Sequence, residues 1–271
     1  MDASERLEER TTRLTAATER LAHNATFVGV LPAAVIGVLL VLVHPVLGVV
    51  VGVVLAAAWV LLVRQRISNA ADVMFAGLAT RPVQPDEAPR LMNVLEGLCL
   101  TCGVDEPAVE VVDTADRPTD SLNAAVAVAG ATVRLVVTPA VLVDLDRMQL
   151  EGLLANLLGR VRDGSAAYTS LVSALLGPGE RAERRLDAAI GDQRGVRSDL
   201  VAVDLTRYPP GLRAALESMA ARGTAVEGAP PRSRLCWIAP IGQRDRAAAG
   251  DDTAGSNSDA LDLRIAVLAE L

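Results

Sequence analysis

The 271-residue chain carries 33 acidic and 26 basic side chains, a net charge of −7, which argues against a nucleic-acid binder with its basic face. Hydrophobic residues make up 51% of it but aromatics only 2%, so any core is built from Ala, Val and Leu. Every basic residue is Arg, a composition bias that removes Lys chemistry from consideration, and three cysteines with no paired framework fit a reducing compartment.

Residues 1–24 read as an amphipathic helix. Asp2 and Glu5 have capping-box spacing, and Leu7, Leu14 and Leu21 recur every seven residues. One apolar position per heptad is thin for a coiled coil, so a helix resting on the membrane or on the rest of the protein is expected.

From Ala25 to Val63, 39 residues run without one charged side chain, nearly two membrane spans. His44-Pro45 interrupts them, since Pro lacks a backbone donor and disfavours helix in the residue before it. The reading is a helical hairpin over 25–63, Thr26–Val43 and Val46–Val63, with His44 a polar turn residue. Arg20, Arg64 and Arg66 flank it and the turn has no Arg, so both flanks are expected in the cytoplasm.

Residues 64–86 read as a linker ending in Arg81-Pro-Val-Gln-Pro-Asp86, and 87–271 as one soluble domain. A helix is expected over Glu87–Thr101, closed by Gly103; Cys99 and Cys102 fall in its last turn and read as buried thiols, not a redox pair. Strands are expected at Val109–Val112, within Asn123–Gly130 and at Val133–Val137. A long helix opens near Asp146 with apolar residues at helical spacing and ends at Gly164. The apolar run Ala166–Gly177 is too short to span a bilayer, so it is buried or lies on the membrane surface. Helices follow over Gly179–Ile190, Arg197–Thr206 and Gly211–Ala221, then a strand at Leu235–Ile238, a polar loop over Gly242–Asp259 and a last helix, Leu261–Leu271.

This order of parts resembles the HtpX-like membrane zinc metalloproteases, peptidase family 48. Pro107-Ala-Val-Glu-Val-Val-Asp113 is similar to the family's first strand, and Asn123-Ala124 to its Asn-Ala-Phe-Ala segment, with Ala125 where Phe is usual. Thr138-Pro139 resembles the stretch leading to the catalytic helix. Leu205-Thr-Arg-Tyr-Pro-Pro-Gly-Leu212, Leu235-Cys-Trp-Ile-Ala-Pro240 and Leu261-x-x-Arg264-Ile265 are similar to later segments. The resemblance implies an α+β fold: a membrane hairpin followed by a mostly helical zincin-like domain with a small sheet. It also implies a groove that takes an extended peptide along a sheet edge.

The family's chemistry rests on H-E-x-x-H, two His one helical turn apart that bind zinc and a Glu that activates water, with a Glu in a later E-x-x-x-D as third ligand. Here Asn156 stands at the first His, Leu157 at the Glu, Arg160 at the second His and Gly195 at the later Glu, while Asp199 keeps the Asp; Ser258-Asp259-Ala260 replaces a His-Pro-Pro. The only two histidines, His23 and His44, precede or interrupt the apolar run. Zinc is therefore expected of the family and not of this chain. Arg160 is expected to close the vacated site by pairing with Asp199, a guanidinium replacing the cation; pointing into solvent is the competing reading.

The functional expectation is a membrane-anchored pseudopeptidase, a binding, regulatory or assembly subunit in a bacterial inner membrane, multi-pass with its domain cytoplasmic. Its partners are the bilayer and an unidentified protein. The alternative is an HtpX-type endopeptidase retaining activity through a non-standard site, for which Ser165, Ser170 and Ser173 offer hydroxyls but no His base is at hand.

Overall fold

A computed structural model describes residues 3–113, 120–241 and 261–271. Asp2, the loop expected over 242–259 and the 258–260 triplet lie outside the described residues.

The first helix, α1, runs unbroken over Ala3–Val41, so the expected amphipathic helix and first span are one element. Nothing between Arg20 and Phe27 breaks a helix: Ala22-His23-Asn24-Ala25-Thr26 contains neither Gly nor Pro. The polarity changes there but the backbone does not. Pro32 lies inside the helix, within the apolar stretch. Helix α2, Pro45–Ser68, starts with Pro at its first position, and His44 caps it by accepting a hydrogen bond at Nδ1 from the Leu47 N–H.

The two helices pack through small residues. A Cβ added to Gly37 would stand 3.0 Å from the Gly52 Cα, and one added to Gly48 would stand 2.2 Å from the Val41 N. Trp59 lies over Gly29 and donates its indole N–H to the Ala25 carbonyl at 3.1 Å. Close approach through glycine is how helices associate where lipid removes the hydrophobic drive between them. Away from this seam the helices present bare aliphatic surface: Leu31 is 67% exposed and Val43 84%. Both helices are long and apolar enough to cross a membrane, which marks the chain as membrane-associated.

The stretch expected to be a linker is structured. Helix α3, Ala70–Phe75, buries Ala70, Ala71, Met74 and Phe75, and Phe75 meets Trp237 edge-on at 6.2 Å. Strand β1, Thr80–Pro82, adds to the sheet edge, where a Pro without an N–H is tolerated. Helix α4, Pro89–Cys102, ends on Gly103 in the left-handed region at φ 65°. Strands β2 (Ala108–Val112), β3 (Ala124–Ala129) and β4 (Thr132–Val137) complete a mixed four-stranded sheet of order β1-β2-β4-β3. β2 and β4 are parallel; the other two pairings are antiparallel. Arg134 ties three of the strands together: its guanidinium donates twice to Glu110, which also accepts from the Thr80 hydroxyl. Burial alone pushes the Glu110 carboxyl up, but these hydrogen bonds and the Arg134 charge outweigh it and hold the group below its ordinary value, ionised.

Helix α5 spans Pro139–Asp144 and helix α6 Arg147–Arg162. Asp146 and Gln149 form a reciprocal capping box that starts α6. Helix α7, Ser165–Leu176, is buried along most of its length, settling the apolar run as a core helix. Helices α8 (Glu180–Ile190), α9 (Arg194–Thr206), α10 (Pro209–Arg222) and α11 (Leu261–Ala269) surround α6 and α7. The expected strand at Leu235–Ile238 is instead a 3-10 turn, Pro231–Leu235, followed by a single bridge from Trp237 to Ala125. The result is the α+β architecture expected. Leu14 and Leu21 of α1 are buried against Tyr168, Leu171 and Leu186, so the heptad leucines form a seam with the domain and not a coiled coil.

Candidate functional site

Helix α6 runs through the main core, packed by α4, α9 and α10. Asn156 and Leu157 are both fully buried at its centre. Leu157 is an ordinary core residue, and the bond geometry around Asn156 is directional. Its amide Nδ2 donates to the Ser198 Oγ at 3.1 Å and to Asp199 Oδ1 at 2.8 Å. Its Oδ1 is buried with no partner among the described residues. Gly195 lies buried in the first turn of α9, and its carbonyl accepts from the Ser198 hydroxyl at 2.8 Å.

Asp199 is paired, but not with Arg160. Arg264 of α11 donates from Nε to Asp199 Oδ2 and from a terminal nitrogen to Oδ1, both at 2.7 Å, and both side chains are 1% exposed. A further Arg264 nitrogen donates to the Ile238 carbonyl. This is a two-pronged, fully desolvated ion pair, the geometry in which Arg and carboxylate match best. Arg160 points elsewhere: it donates to the carbonyls of Cys236 and Leu235 at 3.1 and 3.2 Å. The guanidinium that meets Asp199 is thus supplied by α11, and Arg160 is neither Asp199's partner nor turned out to solvent. The physical reason is reach and competition. The Cys236–Ile238 segment lies between α6 and β3 and offers Arg160 backbone carbonyls, while Arg264 enters on α11 with its whole side chain buried.

Arg264 was visible in the sequence as a charge inside an apolar helix, flanked by Leu261, Ile265 and Leu268. A buried Arg demands a buried carboxylate. That signal names a partner type but not which Asp.

The same segment occupies the outer edge of β3. Val126 N–H donates to the Cys236 carbonyl at 3.3 Å, Ile238 N–H donates to the Ala124 carbonyl at 2.8 Å, and Val128 N–H donates to the Ser170 hydroxyl at 3.0 Å. An added peptide strand needs those outward groups free. Along Ala124–Val128 the chain itself uses these three, so the β3 edge of the sheet is covered there, with Arg160 bonded to the segment that covers it.

The zinc that the resemblance implies does not fit these residues. Leu157 and Gly195 bring no donor atom, a guanidinium at 160 has no lone pair, and Asn156 offers only a neutral amide oxygen. Asp199 already accepts three hydrogen bonds, two of them from a permanent cation. Among the described residues no three His, Cys, Asp or Glu side chains stand where they could share a metal.

Nor do the three serines of the alternative reading find a base: the Ser173 hydroxyl is buried with no partner among the described residues. Ser170 is fully buried, donating to the Ala166 carbonyl and accepting from Val128, and Ser165 donates to the Arg160 carbonyl. Burial pushes the Cys236 thiol up to about 11, against the weaker opposite pull of Arg160 and a Ser170 hydrogen bond; burial likewise raises Cys99 to about 11 and Cys102 upward. All three cysteines are buried free thiols, uncharged at neutral pH and inert as nucleophiles.

No protein-family model matches the chain, and no solved structure matches it. Similarity does appear to proteins named Protease HtpX homolog. That of Dictyoglomus thermophilum is 25% identical over 187 residues, covering 56% of this chain and 60% of that protein. That of Dictyoglomus turgidum is 26% identical over 197 residues with the same coverage. One from Bacteroides fragilis is 28% identical over 93 residues, 34% of this chain and 27% of that protein. The chain therefore spans about 60% of the length of the first two relatives. Distant similarity to HtpX homologues, two apolar helices and a small mixed sheet agree with one another as features of a membrane-associated, HtpX-like chain.

Proposed function

We propose that this chain is a membrane-anchored, catalytically silent relative of the HtpX-type peptidases that acts as a binding, regulatory or assembly subunit. The observation carrying this reading is the buried Asn156–Asp199–Arg264 network. Where the family places a zinc ion between two helices, this chain places a guanidinium and hydrogen bonds between three. A fixed positive charge on the remaining carboxylate repels a divalent cation. The occupied β3 edge supports the same reading, since a processing groove needs an open edge.

The purified full chain is expected to hold well under one zinc per molecule and to cleave unfolded membrane substrates no faster than a detergent blank. One zinc per chain, surviving dialysis and lost in Asn156→Ala, would refute the proposal. So would cleavage abolished by that substitution.

The membrane arrangement proposed is a hairpin in a bacterial inner membrane, with α1's N-terminal half and the domain both cytoplasmic. Exposed positions report it. Cysteines at Glu5 and Asp86 are expected to react alike with an impermeant thiol reagent, from the cytoplasmic side, and a cysteine at Val43 from the opposite side. Opposite labelling of Glu5→Cys and Asp86→Cys would mean a single crossing.

A further inference from the structure

Beyond its apolar stretch, α1 continues along the domain, and where it meets α7 and α8 there is a cavity of about 280 Å³. Three guanidiniums line it, Arg13 and Arg20 from α1 and Arg185 from α8, with Tyr168 from α7 beside them and Leu14 as apolar wall. The spacing on α1 follows from its seam. Leu14 and Leu21 are buried seven residues apart, and each is preceded by an Arg, so Arg13 and Arg20 flank the seam on one side, two turns apart.

Three positive groups converge here, and among the described residues no carboxylate lines the cavity. Arg13 shares Glu9, at 2.8 Å on the exposed face. Among the described residues Arg20 and Arg185 have no ion-pair partner, and no hydrogen bond uses the Tyr168 hydroxyl, although that residue is only 4% exposed. Burial pushes this hydroxyl up, with Arg185 pulling the other way, so it remains a protonated donor. Like charges gathered around a donor form an anion site in want of an anion, and guanidinium forks match phosphate oxygens.

Depth says where the anion comes from. Arg20 lies five residues before Ala25, about 7.5 Å along the helix from the start of the apolar stretch. The headgroup zone is about 5–8 Å deep on each side. The cavity therefore opens at headgroup level and extends about 10 Å further from the bilayer, to Arg13. Its volume is just below the usual range for whole small-molecule ligands and suits a headgroup.

We propose that this cavity binds the phosphate of an anionic lipid headgroup, locking α1 to α7 and α8 at the membrane surface. The proposal rests on the membrane reading of α1 and α2, which the labelling above tests separately. The test uses the full chain in a neutral detergent, following thermal unfolding while titrating dihexanoyl phosphatidylglycerol, dihexanoyl phosphatidylcholine or inorganic phosphate. A ligand of the folded state raises the transition with its concentration. Phosphatidylglycerol is expected to raise it at concentrations at least tenfold below those of the other two. In Arg20→Gln/Arg185→Gln the unliganded transition is expected unchanged, because both side chains are exposed, and the apparent Kd for phosphatidylglycerol at least tenfold weaker. An equal response to phosphatidylcholine, or an undiminished response in the variant, would overturn the site. An equal response to inorganic phosphate that the variant abolishes would assign the cavity to a free anion and overturn the lipid assignment. Should the double variant lose its unliganded transition, Arg185→Gln on the surface of α8 carries the test, with at least a threefold loss expected.

Discussion

Arg264→Ala is expected to destabilise the domain by about 3–5 kcal/mol, because it strands the Asp199 carboxylate in the core. Asp199→Ala strands the guanidinium and is expected to cost about as much. At about 2–4 °C per kcal/mol for a domain of this size, either change lowers the thermal transition by roughly 6–20 °C. Together the two substitutions are expected to cost less than their sum by at least about 1 kcal/mol, the signature of a direct pair. A further variant separates charge from volume: Asp199→Leu/Arg264→Met removes both ions and keeps the space filled, and is expected to be more stable than either single alanine variant, short of wild type because Asn156 and the Ile238 carbonyl each lose a partner. Arg160→Ala with Asp199→Ala is expected additive to within about 0.5 kcal/mol, since Arg160 bonds to the carbonyls of Leu235 and Cys236 instead. Coupling in the Arg160 cycle, or none in the Arg264 cycle, would reverse the assignment of the guanidinium that fills the site.

Gly152→Val is the second large effect expected, and it acts on the packing that positions the site. Helix α6 crosses α10 where Gly152 faces the start of that helix: a Cβ at 152 would stand 2.4 Å from the Leu212 N and 2.6 Å from its Cα. The obstruction is backbone, which cannot rotate away as a side chain can. Gly211 makes the reciprocal approach, with the Met148 carbonyl oxygen 2.6 Å from an added Cβ. Forcing the helices apart shifts both α6, which carries Asn156, and α10, which packs on α11 and so bears on Arg264. Overpacking usually costs about 1–3 kcal/mol, and a backbone clash belongs at or above the top of that range. Gly97→Val is the control: nothing lies within 4 Å of its added Cβ, and Val is a slightly better helix former than Gly, so stability is expected to change by under about 1 kcal/mol. Equal unfolding midpoints for the two variants would show that α6 and α10 do not approach at glycine.

Much of the α+β layout was legible locally. The start of α6 near Asp146, the closure of α4 at Gly103 and the β-branched runs of β2 and β4 were all anticipated within a few residues. Each depends on neighbours within a turn or a strand. The misreadings have a common cause as well. Residues 1–24 were divided from the first span by a change of polarity, which does not interrupt backbone hydrogen bonds, so α1 is continuous. Residues 64–86 read as a linker ending in a polar, Pro-bearing stretch, but α2 runs on to Ser68, and Ala70–Phe75 was too short to show a period before its burial was known. Leu235–Ile238 had strand-like composition, and only its position beside β3 limits it to one bridge.

The sequence by itself determined what the site cannot be: with histidines only at 23 and 44, no helix of the domain can present a pair of imidazoles to a metal. It also determined that two apolar helices meet at His44-Pro45, because hydropathy and proline act over short stretches. Only the tertiary structure decided which guanidinium pairs with Asp199. Arg160 and Arg264 were both available to Asp199, and ion pairs are chosen by geometry across the fold and not by spacing along the chain. The choice fell to Arg264 because α11 brings its guanidinium into the core beside Asp199, while the Cys236–Ile238 segment, bonded along β3, gives Arg160 carbonyls of its own.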